Sequence, residues 1–201
     1  MKRLDSYKTI VGPVQGLYKE KGSKFLAFAF AVDTVEKAQA QITQIKKDYF
    51  DARHHCYAYV LGANKETYRY NDDSEPSGTA GRPIYGQILS KDLSCVLVVV
   101  VRYFGGTKLG TSGLIQAYKL AAADALEQAV IIEKQVMQNF HLQFSYEKMN
   151  AVMKLIKEEN LTQQKCTFDQ ICELNIAVRL SDTERICRIL NTLEVSFLAI
   201  S

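Results

Sequence analysis

Apolar residues along the chain recur with two periods, one of two and one near 3.6, and the switches between them predict the elements. From Phe25 to Val32 large and small side chains alternate, with Leu26, Phe28, Phe30 and Val32 on one face and Ala27, Ala29 and Ala31 on the other. This predicts a strand packed more thickly on one side. Asp33 with Glu36 reads as a capping box. Behind it Val35, Ala38, Ile42, Ile45 and Tyr49 lie at helical spacing. Residues 54–61 alternate again as a strand. Cys95 to Val101 is a continuous, largely β-branched run, the pattern of a central strand buried on both faces. After a loop over 102–110, Leu114 to Val130 is Ala-rich and free of breakers, which predicts a long, largely buried helix.

The remainder has a cleaner order. Phe140, Leu142, Phe144 and Tyr146 alternate as a strand, and Met149, Val152, Met153 and Ile156 mark a helix. Residues 161–168 and 171–180 predict two strands around a short turn, with Cys172, Leu174, Ile176, Val178 and Leu180 on one face. Ser181 with Glu184 reads as a capping box for a helix carrying Ile186, Ile189, Leu190 and Leu193. Val195 to Ile200 closes as a strand. The order βαββαβ is that of the ferredoxin-like split βαβ unit. The expected fold class is therefore α+β, with a mixed domain over 1–133 and a ferredoxin-like domain over 134–201. The boundary near 131–136 carries no linker rich in Gly, Ser or Pro, and no internal repeat is visible.

Composition narrows the class. At 201 residues, 47% hydrophobic and 23% charged, the chain is not disordered, collagenous or low in complexity. No apolar run approaches the ~18 residues of a membrane span, and the N-terminal MKRLDSYKTIVG lacks an apolar signal core. Five cysteines without regular spacing support neither a disulfide framework nor a zinc ribbon, so a reducing cytoplasm is expected. The distribution of glycine is more informative. All 11 fall at or before Gly113, seven of them between Gly78 and Gly113, and the three prolines (13, 76, 83) share that part of the chain. Gly and Pro mark backbone that bends unusually or approaches something closely.

Two loops hold most of them. The first, Asn71 to Pro83, carries Asp72, Asp73 and Glu75, then Pro76, Ser77, Gly78, Thr79 and Gly81, then Arg82. The second, Arg102 to Gly113, leaves the apolar strand and enters the long helix through Gly105, Gly106, Lys108, Gly110, Thr111 and Ser112. A Gly-rich turn at a helix N-terminus exposes backbone N–H groups and the positive end of the helix dipole. With Arg102, Lys108, Thr111 and Ser112 adding donors, this predicts an anion site, with phosphate as the expected ligand. The same glycines also suit a plain tight connection. The spacing is not a Walker A loop, since Thr111 stands where the lysine belongs. In the acidic loop, Asp, Ser, Pro and Gly are good turn formers, and two adjacent carboxylates fall short of a hard-cation ligand set. No metal, cofactor or catalytic residue is therefore expected.

On a strand over His54-His55-Cys56 only His54 and Cys56 share a side, which is short of a zinc set and unsuited to a Cys–His dyad. His55 and Cys56 are expected as structural or lining residues, with Tyr103 and Phe104 lining the second loop, and His141 on a solvent face. Tyr57, Tyr59, Tyr68, Tyr70, Tyr103 and Phe104 are available for base stacking or for the sheet itself.

Three stretches carry a resemblance: His55-Cys-Tyr-Ala58, Asp72 to Pro83, and Val98 to Gly110, with Lys21-Gly-Ser-Lys-Phe25 as an opening motif. Together they resemble the IMPACT/YigZ family over about residues 1–130. The remainder resembles the small C-terminal domain of its bacterial and archaeal members, which implies a prokaryotic member. The resemblance implies an N-terminal domain of the left-handed βαβ type, similar to ribosomal-protein domains and GHMP kinases. It also implies a C-terminal domain like the last domain of elongation factor G. Eukaryotic relatives act in translation control through a protein partner not expected in a bacterium. The family usually has Gly where this chain has Ser74 and Ser112, and Arg where it has Gln116. The serines keep their turns if φ stays negative. Losing Arg at 116 weakens the positive field behind the loop.

These readings favour a non-enzymatic protein that binds RNA or the ribosome, with no membrane partner and no DNA specificity. The net charge of +3 argues against strong unspecific binding. One alternative is a phosphate-ester enzyme, since Gly106 to Gly113 resembles the GHMP-kinase phosphate loop. The other is a protein–protein regulator using Arg102, Tyr103 and Phe104.

Overall fold

The computed structural model, which describes residues 5–167 and 171–200, places the long apolar run at the centre of an antiparallel sheet. Two units divide the chain, Met1–Lys134 and Gln135–Ser201. The first contains β1 (Ser6–Ile10), β2 (Val14–Glu20), β3 (Ser23–Ala31), α1 (Val35–Asp48), β4 (His54–Leu61) and β5 (Thr67–Asn71). It continues with α2 (Gly81–Ser90), β6 (Val96–Tyr103), α3 (Gly110–Glu127) and β7 (Ile131–Gln135), the last at the division. Five strands pair in the order β2-β3-β6-β4-β5, and β1 pairs with β7. β3 and β4 both run antiparallel to β6 and hence parallel to each other, joined by α1.

Residues Val96 to Val101 of β6 are completely enclosed, because helices cover both faces. Leu97, Val99 and Val101 pack on the side of α1 with Phe28, Ile42 and Ile45. Val96, Val98 and Val100 pack on the side of α2 and α3 with Ala27, Ala29, Ile84 and Tyr118. The large–small alternation of β3 thus has a partner on each side: its alanines admit the Ala-rich α3 closely, and its larger residues meet α1. Gly16 of β2 extends that close approach, since a Cβ there would overlap the backbone of Ala125.

Several boundaries differ from the expectation. α1 is capped one residue later, by Thr34, whose Oγ1 accepts from the Lys37 N–H at 3.2 Å, while Asp33 pairs with the Lys37 ammonium. α3 begins four residues earlier than Leu114, so Gly110 to Gly113 form its first turn, and it ends at Glu127. The helix α2 and the short strands β1, β2, β5 and β7 carry no legible period.

The second unit comprises β8 (Met137–Ser145), α4 (Met149–Glu158), β9 (Thr162–Thr167), β10 (Ile171–Arg179), α5 (Thr183–Thr192) and β11 (Ser196–Ile200). Its strand order, β11-β8-β10-β9, is the ferredoxin-like order 4-1-3-2. Phe140, Leu142, Phe144, Cys172, Leu174, Ile176 and Val178 form its core with α4 and α5. Tyr146, expected on the strand, sits in a 3-10 turn and is exposed. A second 3-10 turn, Leu180–Asp182, precedes α5 and puts Asp182 rather than Ser181 at the cap position. The predicted strand end at 168 and the turn after it lie outside the described residues. Among the described residues no helix is long and apolar enough to cross a membrane.

Candidate functional site

The Lys21–Phe25 motif acquires its purpose from the loop after β6. Gly22 turns at φ +79° and packs against Gly105 so closely that a Cβ on Gly105 would overlap the Gly22 backbone. The Gly105 N–H donates to Ser23 Oγ at 3.1 Å. Gly105 is thus a packing glycine, and its N–H is already used. Two residues on, Phe25 pairs in register with Arg102. The Arg102 guanidinium lies 5.5 Å from the Phe25 ring centre and 5.7 Å from that of Phe104, in contact with both π-faces.

Arg102 then meets the acidic loop. Its Nη1 donates to Glu75 Oε1 at 2.6 Å, with both side chains buried. Tyr118 of α3 donates its hydroxyl to the same oxygen at 2.8 Å and meets Phe25 edge-on. A buried ion pair is held only where such further hydrogen bonds offset desolvation. Among the described residues Arg102 Nε is left buried without a hydrogen-bond partner. Behind the pair, Cys56 Sγ approaches the Asp72 carbonyl at 3.0 Å and the Tyr118 hydroxyl at 3.4 Å. Burial pushes both the Cys56 thiol and the Tyr118 hydroxyl well above their ordinary ranges. Cys56 therefore stays a thiol rather than a nucleophile.

The two adjacent carboxylates are occupied by backbone. Asp72 Oδ1 accepts from the N–H groups of Ala80 (3.0 Å) and Gly81 (2.8 Å), and Oδ2 from Gly78 (2.9 Å). It is the N-terminal cap of α2, supplied from eight residues upstream. Asp73 accepts from the His55 N–H at 2.7 Å and from Lys46 Nζ at 3.0 Å. Burial would raise the Asp73 pKa, but these two partners outweigh it and hold the carboxyl below its usual range. Ser74 does not keep a negative φ. It turns at +72°, directly after Asp73 at +41°, so two non-glycine residues adopt the left-handed region in sequence. Thr79 closes the loop by donating its hydroxyl to the Pro76 carbonyl at 2.6 Å.

These contacts bring Glu75 and Pro76 to one wall of a cleft of about 410 Å³. Arg53, His54, Arg102 and Phe104 form a second wall, and Lys108 to Thr111 with Leu114 close it. Among the described residues the first turn of α3 has no side-chain cap. The N–H groups of Gly110, Thr111 and Ser112 are the ones that a helix leaves without intrahelical partners. His54 Nδ1–H donates to the Asp73 carbonyl at 2.9 Å, which fixes the ring.

Of the expected site residues, Arg102, Phe104, Lys108, Gly110 and Thr111 come together at the cleft, and Ser112 and Gly113 follow in the same helical turn. Gly106, at φ +87°, faces open space. Arg82 is exposed on α2 and does not line the cleft, and Ser77 is an exposed loop residue. His55 is not a lining residue either. It is buried on the α1 side, with its ring 2.9 Å from the Tyr49 carbonyl, and His54 takes its place at the cleft. Cys56 lies behind the wall. Tyr103 lines an adjoining cleft, and its hydrogen bond to Asp51 (2.6 Å) raises its pKa to about 12. Among the other aromatics, Tyr57 and Tyr59 are buried beside α1, while Tyr68 and Tyr70 pack on Tyr85. Sequence reasoning missed Arg53 and Leu109 as lining residues and Tyr118 as the third member of the buried network. The strand parity that paired His54 with Cys56 was the available signal for His54.

The Impact N-terminal domain family model matches residues 21–126, which span every residue of this site. The IMPACT family member YvyE of Bacillus subtilis is 32% identical over 180 residues, 90% of this chain and 83% of that protein. The IMPACT family member YigZ of Escherichia coli is 34% identical over 155 residues, 76% of each chain. A solved structure described as a hypothetical protein superposes with a TM-score of 0.78 at 28% identity, covering 99% of both chains. With its family domain matched over more than half its length, and relatives above 30% identity over most of the chain, the protein belongs to the IMPACT family.

Proposed function

We propose that this chain is a non-enzymatic binding protein of the cytoplasm, associated with RNA or the ribosome and linked to translation regulation, which grips phosphate at the N-terminal end of α3. The observation that carries this reading is the uncapped first turn of α3, beside Lys108 and the partnerless Arg102 Nε, at one cleft. Backbone N–H groups, the helix dipole and the Lys108 ammonium then act on the same anion, with the Arg102 Nε–H as a further donor whose charge Glu75 balances. Arg102 is pre-oriented by Phe25 and Glu75, so a ligand would not have to order it. A binding role is favoured over phosphate-ester chemistry because Asp72 and Asp73 both hold backbone N–H groups and the Cys56 thiol is buried. Among the described residues no cysteine is in a disulfide, which fits a reducing compartment.

Filter-binding titrations of the full chain against structured RNA and ribosomal subunits test the reading. Saturable binding that weakens with salt is expected, and Lys108→Ala should lower the salt slope by about one phosphate contact. No saturable binding to either at low salt would overturn it.

A further inference from the structure

Phe104 has a position that the phosphate reading does not use. It lines three clefts at once: the one at α3, one of about 480 Å³ beside Asp51 and Tyr103, and one of about 440 Å³ between β2 and β3. The first two share Arg53, His54 and Arg102, and the last two share Tyr103. The three concavities therefore follow one another over the end of the sheet, with the Phe104 ring at their junction. Phe104 is 56% exposed although Arg102 lies against its ring, so a substantial part of the residue is open.

Cations outnumber acids along this path. Lys108 stands at the α3 end, Arg53 in the middle, and Lys19 and Lys24 at the far end. None of these four is in an ion pair among the described residues. Of the two acids on the path, Glu75 is neutralised by Arg102, while Asp51 accepts from the Tyr103 hydroxyl and keeps its charge, one carboxylate against four cations. Unpaired cations spaced around an exposed aromatic ring, in concavities of small-molecule size, suit a polyanion whose flat groups are free to leave its backbone. A duplex hides its bases and offers nothing to the ring.

We infer that the three clefts form one track for single-stranded RNA, with a base stacked on Phe104 and flanking phosphates at the α3 end and at Lys19 and Lys24. The inference rests on the anion-binding reading of the α3 end and adds the strandedness of the ligand and its path.

Fluorescence anisotropy of the full chain with a labelled single-stranded oligoribonucleotide, and with the same strand annealed to its complement, tests it. The single strand should bind at least about tenfold more tightly, in line with the contribution of base stacking. Phe104→Leu keeps an apolar side chain but loses the stacking surface, and should weaken binding roughly 5- to 150-fold. Because Phe104 also touches Arg102, a second variant avoids the core. Lys19→Ala with Lys24→Ala should reduce the slope of log K against log salt by about 1.4. Equal binding of duplex and single strand, with both variants unaffected, would overturn the track and leave the phosphate site at α3 standing. Tighter binding of the matching DNA strand would overturn the assignment to RNA. Retention by ribosomal protein stripped of RNA, without binding to any oligonucleotide, would overturn both readings.

Discussion

Glu75→Ala will destabilise the N-terminal unit by about 3–5 kcal/mol, the cost of leaving one partner of a buried ion pair uncompensated. Arg102 is caged between Phe25 and Phe104 and cannot swing its charge into solvent without abandoning both rings. Among the described residues its hydrogen bond runs from Nη1 to Glu75, and Nε lacks a partner. The same substitution strips the Tyr118 hydroxyl of its acceptor at 2.8 Å, and burial forbids that hydroxyl from ionising. Urea unfolding measures the loss. Replacing both partners together, Glu75→Leu with Arg102→Met, should recover most of it, because apolar pairs of similar volume substitute well for buried ion pairs. A loss below about 1 kcal/mol for Glu75→Ala would place the pair among weak surface contacts.

Asp72→Ala should cost about 2–3 kcal/mol, more than an ordinary helix cap, because one carboxylate serves three N–H groups. Ala80 and Gly81 are buried, so water cannot replace the lost acceptor at their N–H groups. The charge also faces the positive end of the α2 dipole. Asp72→Asn keeps an acceptor but loses the charge and should fall between wild type and Asp72→Ala in a thermal melt. If Asp72→Ala melts with wild type, the carboxylate is not the cap of α2.

That cap explains one of the larger gaps between sequence and fold. Gly81, Pro83 and Gly86 make α2 look broken, yet Pro83 lies in the first turn, where no N–H bond is lost. The acceptor for that turn comes from Asp72, too far upstream for any local capping motif. The missed strands are short, and β5 is exposed at nearly every position, so neither face shows a period. By contrast β3, β4 and β6 were legible because helices cover both their faces and demand apolar runs, and β8 and β10 because each buries one side. At the site, the Gly-rich entry to α3 was readable from composition. The Arg102–Glu75–Tyr118 network was not, since its members lie on three elements whose meeting depends on the Gly22–Gly105 contact. Likewise, parity showed that His54 and His55 face opposite ways, but which side faces the cleft follows from where α2 and α3 pack.

The central claim, that an anion binds at the uncapped end of α3 against Arg102, is tested most directly by NMR of isotope-labelled full-length protein. The amide signals of Gly110, Thr111 and Ser112 and the Arg102 Nε–H signal report the site itself. Titrated with a single-stranded oligoribonucleotide, these signals are predicted to shift together and saturate at one dissociation constant. Saturating shifts elsewhere in the chain, with these four signals unmoved, would contradict the account.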